Sequence, residues 1–61
     1  MPVVTVELLE GRTAEQKREL AKAITDAVVN IAKAPREGTW VIFNDVKKSD
    51  WATGGKLLSD G

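Results

Sequence analysis

Val3-Val4-Thr5-Val6-Glu7-Leu8-Leu9, followed at once by Glu10-Gly11-Arg12-Thr13-Ala14-Glu15-Gln16, decides the fold of this chain. The first seven residues are β-branched or apolar, with Thr5 and Glu7 the only polar interruptions, and predict a mostly buried strand. Glu10-Gly11-Arg12 breaks that pattern. Thr13 and Gln16 stand at capping-box spacing, each able to satisfy a free backbone amide of the other, so a helix is expected from about Ala14. Leu20, Ile24, Val28 and Ile31 then recur at helical spacing, with Glu19, Lys22 and Asp26 toward the other side, and the helix is expected to end near Lys33.

Downstream, Pro35 and Gly38 punctuate a short connection, and Thr39 to Val46, with the run Trp40-Val41-Ile42-Phe43, reads as a second strand. Two strands joined by a helix of this length are expected to be parallel neighbours, with the helix over one face of the sheet. The other face is apolar as well and needs a cover, for which another copy of the chain is the simplest candidate. Lys47 to Gly61 predicts a short hairpin turning at Gly54-Gly55. The expected class is therefore α+β: one domain over residues 1–61, a β-α-β unit with a parallel strand pair and a short C-terminal hairpin.

Size and composition narrow the function. A chain of 61 residues buries only about 60% of its unfolded surface, so a lone copy is marginal. With no Cys and no His, disulfides, zinc fingers, thiol nucleophiles and imidazole-based triads are excluded, and oligomerisation is the remaining route to stability. Nine basic and nine acidic residues balance, which leaves no electrostatic footprint for nucleic acid or an anionic membrane. Lys47, Lys48 and Trp51 are too few for a nucleic-acid track. No segment approaches the apolar length of a membrane span or a signal peptide, and a cytoplasmic location is expected.

Without histidine or cysteine, proton transfer falls to carboxylates, lysines or the amino-terminal nitrogen. Removal of Met1 would make Pro2 a secondary amine at the start of a strand. An ordinary α-amino group titrates at about 7.7 to 8.0, so a base working at neutral pH needs burial or a nearby cation to lower that value. Arg12, just beyond the first strand, is the candidate cation.

Taken together, Met1-Pro2 before a hydrophobic strand, Leu9-Glu10-Gly11-Arg12-Thr13, Glu15-Gln16-Lys17, Ala34-Pro35, and a late aromatic before Gly54-Gly55 resemble the 4-oxalocrotonate tautomerase family over essentially the whole chain. The resemblance implies a cofactor-independent isomerase in which Pro2 moves a proton between enol and keto forms of an unsaturated 2-oxo acid, the kind of compound met in aromatic degradation. It implies that Arg12 holds a substrate carboxylate, that Trp51 lies over the substrate and that Leu9 lines the pocket. It also implies paired subunits forming a four-stranded sheet, three pairs making a hexamer. Where well-known members carry a second arginine this chain has Trp40, and Gly38 replaces a serine. Arg36, four residues earlier, is the candidate replacement cation. A monocarboxylic enol with an apolar or aryl tail suits Trp40 and Trp51 better than a diacid.

Two other readings follow from the same residues. Dehalogenation or hydration within the superfamily needs a carboxylate to activate water, with Asp45 and Asp50 the nearest by sequence. A chain retaining Met1 has an amide at Pro2 and serves instead as a non-catalytic assembly subunit.

Overall fold

The computed structural model describes residues 2–61. It contains β1 (Val3–Leu9), α1 (Ala14–Ala32), β2 (Trp40–Val46), β3 (Ala52–Thr53) and β4 (Lys56–Leu57), with single 3-10 turns at Arg36–Gly38, Lys48–Asp50 and Leu58–Asp60. The expected class and order are those of the structure. The three 3-10 turns are additions, too short to leave a periodic trace in the sequence.

Gly11 turns the chain between β1 and α1 with a φ of 116°, a conformation that a side chain disfavours. Thr13 caps the helix: its side chain accepts from the Gln16 amide at 3.1 Å, while the Gln16 side chain accepts from the Thr13 amide at 2.9 Å. Lys33 ends it in the left-handed conformation, φ 59°, and Pro35 two residues later cannot continue it.

β1 and β2 are parallel neighbours, with Val3 opposite Trp40 and Leu9 opposite Val46. The ladder is closed at both ends, by the Trp40 amide donating to the Pro2 carbonyl at 2.9 Å and the Glu10 amide donating to the Val46 carbonyl at 3.0 Å. Val4, Val6 and Leu8 of β1 alternate with Val3, Thr5 and Glu7, and the first set is half-buried while all three of the second are exposed. Val41 and Phe43 of β2 are likewise half-buried, as are Ala21, Ile24, Thr25, Val28 and Val29 of α1. A salt bridge of 2.6 Å from Lys17 to Asp45 ties the start of the helix to the end of β2. Asp45, a candidate water activator by sequence, is thus engaged by a helix lysine.

The expected helix stripe is shifted. Ile24 and Val28 are half-buried, but Leu20 and Ile31 are 38% and 81% exposed. Ala21 and Thr25 take their places, because a helix lying on two strands buries a narrow row, and the apolar residues outnumber it. A second apolar strip therefore runs along the helix flank.

β3 and β4 form an antiparallel hairpin, Thr53 opposite Lys56. Gly54 and Gly55 both have positive φ, 61° and 83°, as a two-residue hairpin turn of type I′ requires.

No residue among those described is fully buried. The chain exposes 4586 Å², against about 3,900 Å² for a compact monomer of its mass. Its radius of gyration is 14.5 Å, against about 10.5 Å for a compact chain of this length. The open sheet face presents Val3, Trp40 and Ile42, each more than 40% exposed, an apolar surface that nothing else among the described residues covers. No helix among the described residues is long and apolar enough to cross a membrane.

Candidate active site

Parallel pairing puts the starts of β1 and β2 at one end of the sheet and their ends at the other. The six sequence candidates divide accordingly. Pro2 and Trp40 lie at the first end, with Arg36 in the turn that leads into β2. Leu9 and Arg12 lie at the second, and Trp51 follows five residues after β2 ends there.

Pro2 is half-buried and fixed through its carbonyl by the Trp40 amide. A ring nitrogen on a residue clamped to a strand ladder has its direction set by the sheet, the placement that a base requires. The Pro2 nitrogen is a basic amine only when Met1 is gone, and Met1 lies outside the described residues. Trp40 stands opposite Val3 and next to Ile42's partner Thr5 on the open face, where it is 53% exposed. That face grades from apolar near Pro2 to polar at the far end, where Asn44 donates from its side chain to Glu7 at 3.0 Å.

Arg36 is not idle. Its guanidinium pairs with Asp26 of α1 at 2.9 Å, and the other oxygen of the same carboxylate receives Lys22 at 3.0 Å. Lys22 first, and Arg36 with it, hold the Asp26 carboxyl below its ordinary value of 3.8, since both stabilise the charged form. Sequence reasoning placed Asp26 on the solvent side of the helix and missed this cluster. Lys22 and Asp26 have the i, i+4 spacing of a helix pair, but nothing in the sequence links either to Arg36 across the turn.

At the other end, Arg12 is exposed and has no carboxylate within salt-bridge distance, whereas Arg18 pairs with Glu15 and Arg36 with Asp26. Among the described residues Arg12 is thus the arginine left free for an anion. It lines an open groove of about 510 Å³ with Gln16, Glu19, Leu20 and Ala23 along the exposed helix flank. Leu9 is half-buried at the end of β1. Trp51 is half-buried while the rest of the hairpin is exposed, and its carbonyl accepts from the Leu58 amide at 2.9 Å. Asp50 lies exposed in the preceding 3-10 turn.

The seven residues of β1 extend about 23 Å at 3.3 Å each. No arginine side chain crosses that length, so one chain does not bring Arg12 to Pro2. Two copies packed with their strands in opposite directions would bring one end of each together. Among the described residues no group of carboxylates is disposed to hold a metal.

A family model for tautomerase enzymes matches residues 2–61. A probable tautomerase of Bacillus cereus is 50% identical over 60 residues, covering 98% of each chain. The crystal structure of YwhB, a homologue of 4-oxalocrotonate tautomerase, superposes with a TM-score of 0.95 at 45% identity, covering 98% of both chains. A heterohexamer 4-oxalocrotonate tautomerase from Chloroflexus aurantiacus is similar at 32% identity with a TM-score of 0.91, covering 98% of this chain and 97% of that one.

Proposed function

The chain belongs to the tautomerase family, and from that premise we propose that it interconverts enol and keto forms of an unsaturated 2-oxo acid, with Pro2 as general base. The anchoring of Pro2 at the head of the ladder by the Trp40 amide carries this reading. With Met1 removed, the Pro2 amine takes the proton from the 2-hydroxyl of the enol as the C2–O bond becomes a carbonyl. The electron pair shifts along the unsaturated chain, and the proline ammonium returns a proton to carbon. Atoms and charge balance with no co-reactant, and no cofactor enters the step.

Arg12 of a second copy binds the substrate carboxylate through paired, charge-assisted hydrogen bonds and draws electron density toward it. Among the described residues Arg12 has no carboxylate partner, and it stands a strand length from the Pro2 of its own chain, which favours a shared site. Trp51 and Leu9 arrive with Arg12 and wall the pocket, and an indole there lowers the local dielectric around the amine. The exposed apolar sheet face and helix flank supply the surface for such an assembly. A hexamer is the assembly that the family resemblance favours, and the heterohexameric relative makes mixed subunits a specific second arrangement.

The test is the ketonisation rate of an enol substrate, followed by loss of its absorbance, with protein shown by intact mass to lack Met1. Turnover that vanishes when Met1 is retained supports the amine base. Equal turnover with Met1 in place contradicts it.

A further inference from the structure

We propose that Asp26 is a positioning residue for the base: its ion pair with Arg36 fixes the turn ahead of β2, and that turn fixes the direction of the Pro2 nitrogen. The inference rests on the tautomerase reading and adds to it a helix residue that never touches substrate.

Pro2 precedes the first paired residue of β1, and its nitrogen has no hydrogen to give to a ladder once it is an amide or a ring amine spent on catalysis. The ring is therefore held through its carbonyl, which accepts from the Trp40 amide at 2.9 Å. The lone pair follows that amide, and a group that moves a proton works only when it is aimed. Trp40 is the first residue of β2, so the placing of its amide is set by the 3-10 turn Arg36–Gly38 just before it.

That turn is bonded within itself. The Gly38 amide donates to the Pro35 carbonyl at 3.1 Å, the Thr39 amide to the Arg36 carbonyl at 3.2 Å and the Thr39 hydroxyl to the Pro35 carbonyl at 2.9 Å. These bonds make residues 35–39 one stiff piece without fixing that piece to the helix. Among the described residues its ion pair with α1 is the one between Arg36 and Asp26, at 2.9 Å. Lys22 engages the other oxygen of the same carboxylate at 3.0 Å, so both oxygens are held and the carboxylate keeps one orientation. Asp26 in turn stands in mid-helix, between the half-buried Ile24 and Val28.

The side chains of Arg36 and Asp26 are 55% and 33% exposed, and a pair so open to water adds little to stability. Its contribution is directional: helix, carboxylate, turn, Trp40 amide and Pro2 carbonyl form one continuous line of contacts. A small rotation of the turn reaches the base, and a base displaced from its line of attack loses rate without losing substrate affinity.

The experiment measures kcat and KM, together with hydrogen exchange of the Trp40 amide by NMR, on the whole protein without Met1. The substrate is whichever of phenylenolpyruvate and 2-hydroxymuconate the wild type turns over faster. Asp26→Asn and Arg36→Gln are each expected to lower kcat by about three- to tenfold, with KM nearly unchanged and Trp40 exchange faster. The double variant should lose no more than either single one, because both remove the same contact. Arg36→Lys, which keeps a donor for Asp26, should recover most of the rate. Arg18→Gln removes another exposed pair on the helix, that with Glu15, and should leave kcat and Trp40 exchange as they are. Unchanged kcat in both Asp26→Asn and Arg36→Gln overturns the proposal and leaves the tautomerase reading in place, as does an equal loss in Arg18→Gln. Turnover of neither enol by the wild type overturns the tautomerase reading and the positioning role with it.

Discussion

Pro2 and Arg12 stand at opposite ends of β1, with the seven residues of the strand between them. Each is held where it is by local structure. Pro2 is pinned by the Trp40 amide at 2.9 Å, and Arg12 follows the Gly11 turn directly ahead of the helix cap. On the proposed function, a base and a carboxylate-binding cation so separated serve one substrate only when a second chain reverses the order of the ends. On that reading, a chain too short to enclose a pocket would build it between copies.

Replacing the proline of the proposed base is the simplest check on the chemistry. Pro2→Ala leaves a strand of the same length with the same carbonyl for Trp40 to hold, so assembly should persist. The new terminus keeps a primary amine but loses the ring that fixes its direction, and activity is expected to fall by about a hundredfold, the usual contribution of a positioned general base. Steady-state kinetics beside sedimentation of the same sample reads both quantities, and survival of most activity would show that the chemistry does not use the proline ring.

The open sheet face makes a separate prediction. Ile42 is 42% exposed in one chain and flanked by Trp40 on the same face. Ile42→Asp places a charge where a second copy is expected to bury it, at a cost of several kcal/mol per buried ion. Light scattering should report smaller species with activity lost alongside. Unchanged mass would mean that this face is free in solution.

Most of the fold was legible in the sequence because its local signals agree. Val3–Leu9 as a strand and Thr13 as a cap need no tertiary information, and the Gly54-Gly55 pair dictates its own turn. Leu20 and Ile31 were misplaced because periodicity identifies apolar positions without saying which partner each one meets, the sheet or a second chain. Pro2 and Arg12 were legible as candidates from residue type and motif. Their separation follows from the length of the strand between them, but the second chain that would join them leaves no local signal. The Asp26–Arg36 pair was missed for a similar reason: the two residues meet only because the 3-10 turn at Arg36–Gly38 directs the arginine back onto α1.

Gly11 should tolerate substitution poorly although there is room for one. No heavy atom lies within 4 Å of a Cβ placed there, yet φ is 116°. Gly11→Ala is therefore expected to cost about 1 to 3 kcal/mol through backbone strain alone, measured by denaturant unfolding at fixed protein concentration. A neutral effect would show that the turn relaxes to another conformation.

Asp26 gives a prediction in pH. Its folded-state value lies below the ordinary 3.8 because Lys22, and then Arg36, favour the carboxylate. The interaction therefore adds stability that is complete above the ordinary value and is lost as pH falls through the lower folded value. NMR titration of the Asp26 carboxyl carbon should give a midpoint below 3.8. Arg36→Gln should raise that midpoint only in part, because Lys22 remains. A midpoint that Arg36→Gln leaves unmoved would show that the pair does not persist in solution.

Subunit mixing tests the shared site most directly. Pro2→Ala and Arg12→Ala chains are each expected to be nearly inactive alone. Co-expressed in equal amounts, they form some sites that take Pro2 from one kind of chain and Arg12 from the other. Random mixing in a symmetric oligomer should then recover roughly a quarter of the wild-type rate. Recovery no greater than the sum of the two inactive proteins would contradict a site built from both ends of β1 on different chains.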